Sequence, residues 1–331
     1  MREIGSEFWN IPTSDRKNDL FPESTEWYLS GRSALQAILR ALKHCRTVAM
    51  PAWCCDSMLK PFADAGIEIR FYPVYWQNGL VQEPRLDCDA LLVMDYFGYS
   101  GPCPELSAYR GAVIRDVTHS LFSRSYTDAD YSFGSLRKWC GVYTGGYAWA
   151  RDERGLTPGT ADTSGYAKLR EKAMRDKSRY LSGDARDKAY LTTFGEAEEL
   201  LEHVGVAAAE ERDVRLARRL DAEMIRGKRR ENARILMEAF PELLVFPNAQ
   251  ETDCPMFVPI LVPDGRRDAL RSYLTQREIY CPIHWPLSDL HQIDAKTKIL
   301  YDGELSLVCD QRYKQEDMRR IIETIRAFWK G

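Results

Sequence analysis

The sequence predicts an α/β fold in which a large domain with a mostly parallel sheet is followed by a smaller α+β domain. Between about residues 27 and 150, short strand-like runs alternate with helical patterns, which is the order of a parallel sheet with connecting helices. After a charged helical stretch from about 160 to 240, strands and helices resume. The 331 residues exceed what one core usually supports, so we expect domains over 1–215 and 216–331.

The predicted strands of the first half are short, and several are apolar on both faces, as buried parallel strands are. They cover 47–50, 68–72, 90–95, 112–116 and 146–150. Leucine and isoleucine recur at helical spacing over 33–44, and a second helical pattern over 56–65 ends at Gly66. In the C-terminal part we predict strands over 255–262, 278–281 and 305–309 and helices over 266–276 and 315–329.

The composition, with 44% hydrophobic and 29% charged residues, is that of an ordinary globular protein. Lys and Arg number 46 against 49 Asp and Glu, a formal net charge of −3, so we expect no nucleic-acid partner. The first residues lack the apolar segment of a signal peptide, and no run of about eighteen uncharged apolar residues occurs. We therefore expect a cytoplasmic protein without a membrane partner. The nine cysteines lack the spacing of zinc ligands, so we predict mostly buried thiols and no metal site.

Small polar residues cluster where the first helix is predicted to begin. Ser30, Gly31, Arg32 and Ser33 combine hydrogen-bonding side chains with the exposed N–H groups of a helix N-terminus, a combination that favours an anion such as phosphate. The alternative is an ordinary Ser N-cap. Neither G-x-G-x-x-G nor G-x-x-x-x-G-K-[ST] occurs, so a nucleotide is not the obvious source of such a phosphate.

The predicted strand over 112–116 ends with a carboxylate, and an imidazole follows three residues later. Ligands of open α/β sheets bind at the carboxyl ends of the strands, so Asp116 and His119 lie where a cofactor would bind. The alternative for Asp116 is a cap on the next helix.

Lys138 lies among Gly, Ser and Trp residues shortly before Gly145-Gly146 and an apolar strand. A lysine amine in a partly desolvated position loses its proton readily, as attack on an aldehyde or ketone requires. The alternative is an ordinary surface lysine.

These segments, in this order and at similar spacing, resemble the DegT/StrS-type aminotransferases, which are pyridoxal 5'-phosphate (PLP) enzymes of fold-type I. The resemblance covers about residues 25–310 and implies that the large domain binds PLP. The segment 30–35 stands in place of the family's Ser-Gly-Thr-Ala-Ala-Leu phosphate segment, with Arg32 where Thr is usual. Pro51-Ala52-Trp53 is similar to the segment whose aromatic ring stacks on the pyridine, which implies that role for Trp53, with a register uncertain by two residues.

Two further motifs imply the catalytic residues. The segment 115–119 resembles the family's Glu-Asp-Ala-Ala-His, which implies Asp116 against the pyridinium nitrogen and His119 near the 3-hydroxyl of the ring. The segment 132–146 is similar to the family's Ser-Phe…Lys…Gly-Gly motif, which implies that Lys138 binds the cofactor aldehyde covalently. Lys138 follows Ser132 by six residues where five are usual, so Ser135 is the alternative to Ser132 as the cofactor-binding serine.

A late segment, 279–286, resembles the one in which a His of the small domain reaches toward the substrate, which implies that role for His284; packing beside Trp285 is the alternative. The family's Gly-x-Asn-Tyr-Arg-Met segment has no clear copy here, since the corresponding residues are 182–191. This departure bears on the substrate more than on the cofactor.

The resemblance implies transfer of an amino group from an amino-acid donor, glutamate, to a keto group on a nucleotide-linked sugar, by a homodimer. A second hypothesis keeps PLP but changes the reaction to elimination or dehydration. Lys138 argues against those relatives that carry His at this position and dehydrate sugars. A third hypothesis is a binding protein that retains the fold without turnover.

Overall fold

The computed structural model describes residues 3–85, 87–100, 106–123, 129–152 and 155–331. Contacts between backbone segments divide the chain into two compact units. Unit 1 consists of Met1–Ser6, Cys45–Asp128 and Glu223–Gly331, and unit 2 of Glu7–His44 and Ala129–Ala222. The units thus alternate along the chain, whereas the expected domains, 1–215 and 216–331, are consecutive; that division stays a prediction.

Seven strands of the described residues form one mixed sheet, in the order β2-β10-β9-β8-β7-β3-β4. Their bounds are Glu26–Tyr28 (β2), Thr47–Pro51 (β3), Glu68–Tyr72 (β4), Ala90–Met94 (β7), Ala112–Asp116 (β8), Tyr131–Ser135 (β9) and Gly146–Ala150 (β10). Helices accompany the sheet, so the predicted α/β class is confirmed. The predicted strands over 47–50, 68–72, 90–95, 112–116 and 146–150 each match a strand of this sheet.

The strands that unit 1 contributes to this sheet are parallel: β3 pairs with β4 and β7, and β7 pairs with β8. All five residues of β7 are buried, as the central position of a parallel sheet requires. Asp116 is the last residue of β8, so its side chain lies at the carboxyl end of this sheet.

Unit 1 also contains the C-terminal elements, which surround one apolar core that includes Leu270, Leu305 and Ile321. The smaller strands pair as β1 with β12, β5 with β6 and β11 with β13. Their bounds are Ile4–Gly5 (β1), Val74–Trp76 (β5), Leu80–Gln82 (β6), Val258–Leu261 (β11), Ile279–Tyr280 (β12) and Glu304–Leu307 (β13). The helices of this part are Asp56–Asp64 (α2), Ala222–Ala239 (α6), Arg267–Thr275 (α7), Ala295–Gly303 (α8) and Gln315–Lys330 (α9), with a short 3-10 helix at Pro241–Leu243.

In unit 2 the sheet strands are antiparallel: β10 runs antiparallel to both of its partners, β2 and β9. Helix Gly31–Ala41 (α1) packs on β9 and β10. The charged stretch after residue 160 is helical as predicted, forming Ser164–Ser182 (α3), Tyr190–His203 (α4) and Glu211–Ala217 (α5), and α3 packs along α4.

Six of the eight cysteines in the described residues are buried and the other two are partly buried, which confirms the prediction of mostly buried thiols; Cys103 lies outside the described residues. Among the helices of the described ranges, none has both the length and the apolar character needed to cross a bilayer.

Candidate active site

The start of α1 in unit 2 carries the predicted anion site. Ser30 is the N-cap, with an extended backbone, and its Oγ accepts the N–H of Ser33 at 3.2 Å. The Ser33 hydroxyl donates to the carbonyl of Gly205 at 2.9 Å, and the Arg32 guanidinium donates to the carbonyl of Leu201 at 3.4 Å. These three side chains therefore serve the protein itself, and the N-cap interpretation accounts for Ser30.

What α1 offers to a ligand is backbone. Within the described part of the chain, the N–H groups of Gly31 and Arg32 have no hydrogen-bond acceptor, as is usual for the first residues of a helix. Such N–H groups, at the positive end of the helix dipole, favour an anion.

Strand β9 places Ser135, and not Ser132, beside this helix start. A β-carbon added to Gly31 would lie 3.3 Å from the Cβ of Ser135. Ser132 lies opposite Trp149 and on the face of Gly134, where an added β-carbon would lie 2.3 Å from the hydroxyl of Tyr147. Side chains alternate between the faces of a strand, so the two serines point to opposite sides of the sheet. Of the two candidates for the cofactor-binding serine, Ser135 is the one that adjoins α1.

Gly146 completes the close approach at this position. A β-carbon there would lie only 2.0 Å from the carbonyl oxygen of Ser30, which is closer than any real side chain allows. The second glycine of the Gly145-Gly146 pair therefore allows β10 to run against the N-cap backbone of α1.

Lys138 is the last residue of a short 3-10 helix, Leu136–Lys138, that follows β9 directly. The N–H of Leu136 donates to the carbonyl of Gly145 at 2.7 Å, and the adjacent Trp139 is fully buried. The side chain of Lys138 itself is exposed and makes no hydrogen bond or ion pair with any described residue. The sequence suggested a partly desolvated amine, but the structure shows an accessible one on a fixed backbone.

Arg137, next to Lys138, is a residue whose role the sequence analysis missed. Its guanidinium donates to both carboxylate oxygens of Glu198 at 2.9 and 3.2 Å and also to the hydroxyl of Tyr166. Arg170, buried in α3, lies 3.6 Å from the same carboxylate. This ion network ties the backbone beside Lys138 to α3 and α4.

In unit 1, Asp116 is almost completely buried, and its Oδ1 accepts the N–H of Thr118 at 2.8 Å. The carboxylate thus caps a turn, not the helix that was the structural alternative. Asp95, which the sequence analysis also missed, binds on both sides of this segment: it accepts from Arg115 at 2.8 Å and from the Ser120 hydroxyl at 2.5 Å. Arg115 and Ser120 flank the Asp116–His119 segment, so Asp95 fixes its course.

His119 and His284 lie in one aromatic cluster of unit 1. The Nδ1 of His119 accepts the N–H of Phe97 at 3.3 Å, and its ring stacks on Trp285 with centroids 5.8 Å apart. The ring of His284 lies edge-on to that of His119, with centroids 6.0 Å apart. Unit 1 therefore brings together two residues that the sequence placed near the cofactor and the substrate.

Trp53 belongs to the same cluster, but no part of it is exposed. Its ring stacks on Tyr96 at 5.1 Å, and its Nε1 donates to the carbonyl of His284 at 2.8 Å. Stacking on a cofactor would require these rings to rearrange, and the role of Trp53 stays a prediction.

His284 is held by strand β13. Its N–H donates to the Oε2 of Glu304 at 2.8 Å, and its Nδ1 lies 2.9 Å from the Oγ of Ser306. The hydroxyl of Ser306 in turn lies 2.5 Å from the Oε1 of Glu304. Burial raises the pKa of Glu304 to about 8, although Ser306, the His284 N–H and Arg267 act in the opposite direction. The sequence analysis predicted only a strand over 305–309 in this segment. The role of Glu304 was missed because its partner, His284, is 20 residues away in the chain.

The residues present fit PLP by their chemistry. PLP requires an amine for its aldehyde, donors for its phosphate and a carboxylate for its ring nitrogen. Unit 2 supplies the accessible amine of Lys138 and, at the start of α1, two N–H groups beside Ser135 that have no acceptor among the described residues. Unit 1 supplies the buried carboxylate of Asp116.

Comparison with known proteins gives structural likenesses only: no protein-family model and no curated protein matches the sequence. PseC from Helicobacter pylori, an aminotransferase involved in the biosynthesis of pseudoaminic acid, is 14% identical over 97% of this chain and 99% of its own, with a TM-score of 0.62. DesV from S. venezuelae is 17% identical over 92% of this chain and 84% of its own, with a TM-score of 0.61. A GDP-4-keto-6-deoxy-D-mannose-3-dehydratase from E. coli, with bound hydrated PLP, is 12% identical over 91% and 87%, with a TM-score of 0.59.

At these identities the likenesses establish the fold. The chain shares the fold of PseC and DesV over almost its whole length.

Proposed function

We propose that the protein is a PLP-dependent enzyme that transfers an amino group from an amino-acid donor, glutamate, to a keto group on a nucleotide-linked sugar. The observation that carries this proposal is the accessible amine of Lys138, which follows a strand whose last residue, Ser135, adjoins the unpartnered N–H groups at the start of α1. A phosphorylated aldehyde requires an amine and an anion site, and Ser135 of the anion site is three residues from the amine-bearing Lys138.

Each residue has a distinct task in this proposal. The N–H groups of Gly31 and Arg32, with the Ser135 hydroxyl, hold the phosphate, and the Asp116 carboxylate holds a proton on the ring nitrogen. Bound PLP supplies the electron sink that makes a proton on the substrate carbon acidic. Lys138 would hold the cofactor aldehyde in the resting enzyme and would take up and return that proton as general base and acid.

The structural neighbours support PLP chemistry on sugars but include two reactions. PseC is an aminotransferase, whereas the E. coli protein is a dehydratase of a GDP-linked keto sugar. That dehydratase is the observation that favours a second candidate function, PLP-dependent dehydration of a sugar. Lys138 favours transamination, because its amine is available to move the proton back to the product carbon.

The experiment uses the purified full chain incubated with PLP, reduced with borohydride and digested for mass spectrometry. We expect the protein to be yellow and the cofactor to become fixed on the peptide that contains Lys138. Lys138→Ala should lose this label, whereas Lys168→Ala, which removes an exposed lysine of α3 in the same unit, should keep it. A colourless protein that takes up no PLP would contradict the proposal and favour the binding-protein hypothesis.

Glutamate separates the two reactions. If the protein is a transaminase, added glutamate converts the bound cofactor to its amine form and releases one equivalent of 2-oxoglutarate. A GDP- or TDP-linked keto sugar should then restore the aldehyde form. Loss of water from the sugar without uptake of nitrogen would instead identify a dehydratase.

A further inference from the structure

In unit 1, hydrogen bonds link His284, Glu304 and Ser306, a group that we call the 284–304–306 relay. Glu304 and Ser306 are two residues apart on β13, so their side chains share one face, and both are fully buried. One carboxylate oxygen of Glu304 accepts the backbone N–H of His284, and the other lies 2.5 Å from the Ser306 hydroxyl. That hydroxyl also lies 2.9 Å from the Nδ1 of His284.

The relay has two self-consistent arrangements of hydrogens, because the Ser306 hydroxyl has a single proton to donate. When Glu304 is ionised, Ser306 donates to the carboxylate and accepts from His284, so Nδ1 carries the hydrogen and Nε2 does not. When Glu304 is protonated, the carboxyl donates to Ser306, and the hydroxyl donates to Nδ1, so Nε2 carries the hydrogen. The two states of Glu304 thus correspond to opposite tautomers of the imidazole.

We infer that Glu304 acts through Ser306 as a positioning residue that sets the tautomer of His284, so that Nε2 changes from a hydrogen-bond donor to an acceptor when Glu304 loses its proton. The inference concerns this chain without any ligand and does not rest on the proposed function.

The surroundings of Glu304 favour its protonated form at neutral pH. Burial is the dominant effect and raises the pKa of this carboxyl to about 8. The nearest cation is Arg267 of α7, whose guanidinium donates to the backbone carbonyl of Glu304 at 3.2 Å and only partly offsets burial. The thiol of Cys281, after β12, is buried nearby with its own pKa raised to about 12, so it remains neutral.

Among the described residues, charged side chains of the neighbouring α7 and α8 make other contacts: Arg267 pairs with Asp268, and Lys296 lies 4.6 Å from the centroid of the Tyr75 ring. Strand β11 has no titratable side chain. On α8, Lys298 and Asp302 pair with each other in solvent, and the Tyr301 hydroxyl donates to the carbonyl of Ala52. The protonation state of Glu304 is therefore governed by burial and by the relay itself.

The consequence concerns the aromatic cluster that holds His119. The ring of His284 lies 5.2 Å from that of Phe97 and 6.0 Å from that of His119, centroid to centroid. At neutral pH, the Nε2 of His284 carries a hydrogen that it can donate. Above the pKa of Glu304, Nε2 offers a lone pair instead. A histidine of fixed orientation but switchable hydrogen can give a proton in one state and take one in the other.

The test is nitrogen NMR on the full chain labelled with 15N-histidine, without cofactor. The sequence contains five histidines, so the spectrum is sparse, and His284→Gln identifies the signal. Long-range 1H–15N correlations distinguish the protonated from the unprotonated ring nitrogen. We expect the Nε2–H form of His284 at about pH 7 and the Nδ1–H form at about pH 9.5, either side of the Glu304 pKa.

Two variants decide whether Glu304 is responsible. Glu304→Gln retains the shape, accepts from the His284 N–H and donates from its amide to Ser306, so it should keep the Nε2–H form at both pH values. Glu316→Gln, an exposed glutamate of α9, should switch like the wild type. Ser306→Ala, with folding verified by circular dichroism, should remove the pH dependence. A wild-type tautomer that does not change, or a Glu304→Gln variant that still switches, would overturn the inference.

Discussion

Ser135 lies against Gly31 where α1 begins, whereas Ser132, three residues earlier on the same strand, points to the other face of the sheet. The alternation of side chains along β9 therefore distinguishes two serines that the sequence left as alternatives. Only Ser135 is placed to add its hydroxyl to the N–H groups of the helix start.

We predict that Ser135→Ala weakens the affinity for PLP about tenfold, because a hydrogen bond to a charged phosphate contributes about 1.5 kcal/mol. The measurement is an absorbance titration of the full chain with PLP. Ser132→Ala is the matched variant on the same strand and should bind PLP as the wild type does. Equal losses in the two variants would show that the serine is not a phosphate ligand.

Gly146→Ala should destabilise the fold, since its β-carbon would lie 2.0 Å from the Ser30 carbonyl oxygen. Overpacking of this kind costs about 1–3 kcal/mol in the free energy of unfolding, measurable by urea denaturation. Gly155→Ala provides the control, because nothing lies within 4 Å of a β-carbon at that position. If both variants were as stable as the wild type, the close approach of β10 to α1 would be incorrect.

Lys138 and Arg137 are adjacent in the chain, but we expect their replacement to have different effects on the free energy of unfolding. Lys138→Ala should leave the unfolding free energy within about 0.5 kcal/mol of the wild type, because the side chain is exposed and unpaired in the described structure. Arg137→Ala should lower it by about 1–3 kcal/mol, because it removes the guanidinium that donates to the Glu198 carboxylate and to the buried Tyr166 hydroxyl. Urea unfolding of both variants tests this, and a destabilised Lys138→Ala would contradict an exposed amine.

Asp116→Asn should bind PLP but turn over at least about a hundredfold more slowly. The amide oxygen can still accept the N–H of Thr118, so the turn is retained, but an amide cannot hold a proton on the ring nitrogen. The measurements are the PLP titration and kcat of the reconstituted enzyme with glutamate. Wild-type turnover would refute the role of Asp116.

Stability should fall as the pH rises, on account of Glu304. Its pKa in the folded chain, about 8, lies above that of an unfolded glutamate, so the folded state binds the proton more tightly. The contribution is complete below about pH 4.5 and is lost as the pH rises through about 8. Urea unfolding at about pH 6 and about pH 9 should show a loss in the wild type that is smaller by about 1 kcal/mol or more in Glu304→Gln. The same loss in both proteins would contradict the raised pKa.

The fold was predictable where the local sequence carries a strong pattern. The run over 90–95 is apolar on both faces and formed the buried β7, and α9, observed as Gln315–Lys330, was predicted within one residue. Strands β2 and β9 were not predicted: they are short, and β9 contains Ser132 and Gly134, which have low strand propensity. Their pairing with β10 decides their conformation.

The candidate site was predictable as a set of residue types but not as a set of contacts. Ser30, Asp116 and Lys138 stand out because each follows or precedes a regular element. Asp95 and Glu304 do not, because a buried carboxylate acquires its role from partners that lie 20 or more residues away. The resemblance implied that the Trp53 ring stacks on a cofactor, yet tertiary packing encloses this ring completely.

The bond from the Leu136 N–H to the Gly145 carbonyl closes a ten-residue circuit around Lys138. This hydrogen bond holds the main chain at Lys138 in place, while five single bonds separate its Cα from Nζ. Rotation about the side-chain bonds takes picoseconds to nanoseconds, so the amine would approach a bound aldehyde, or withdraw from it, without rearrangement of the main chain.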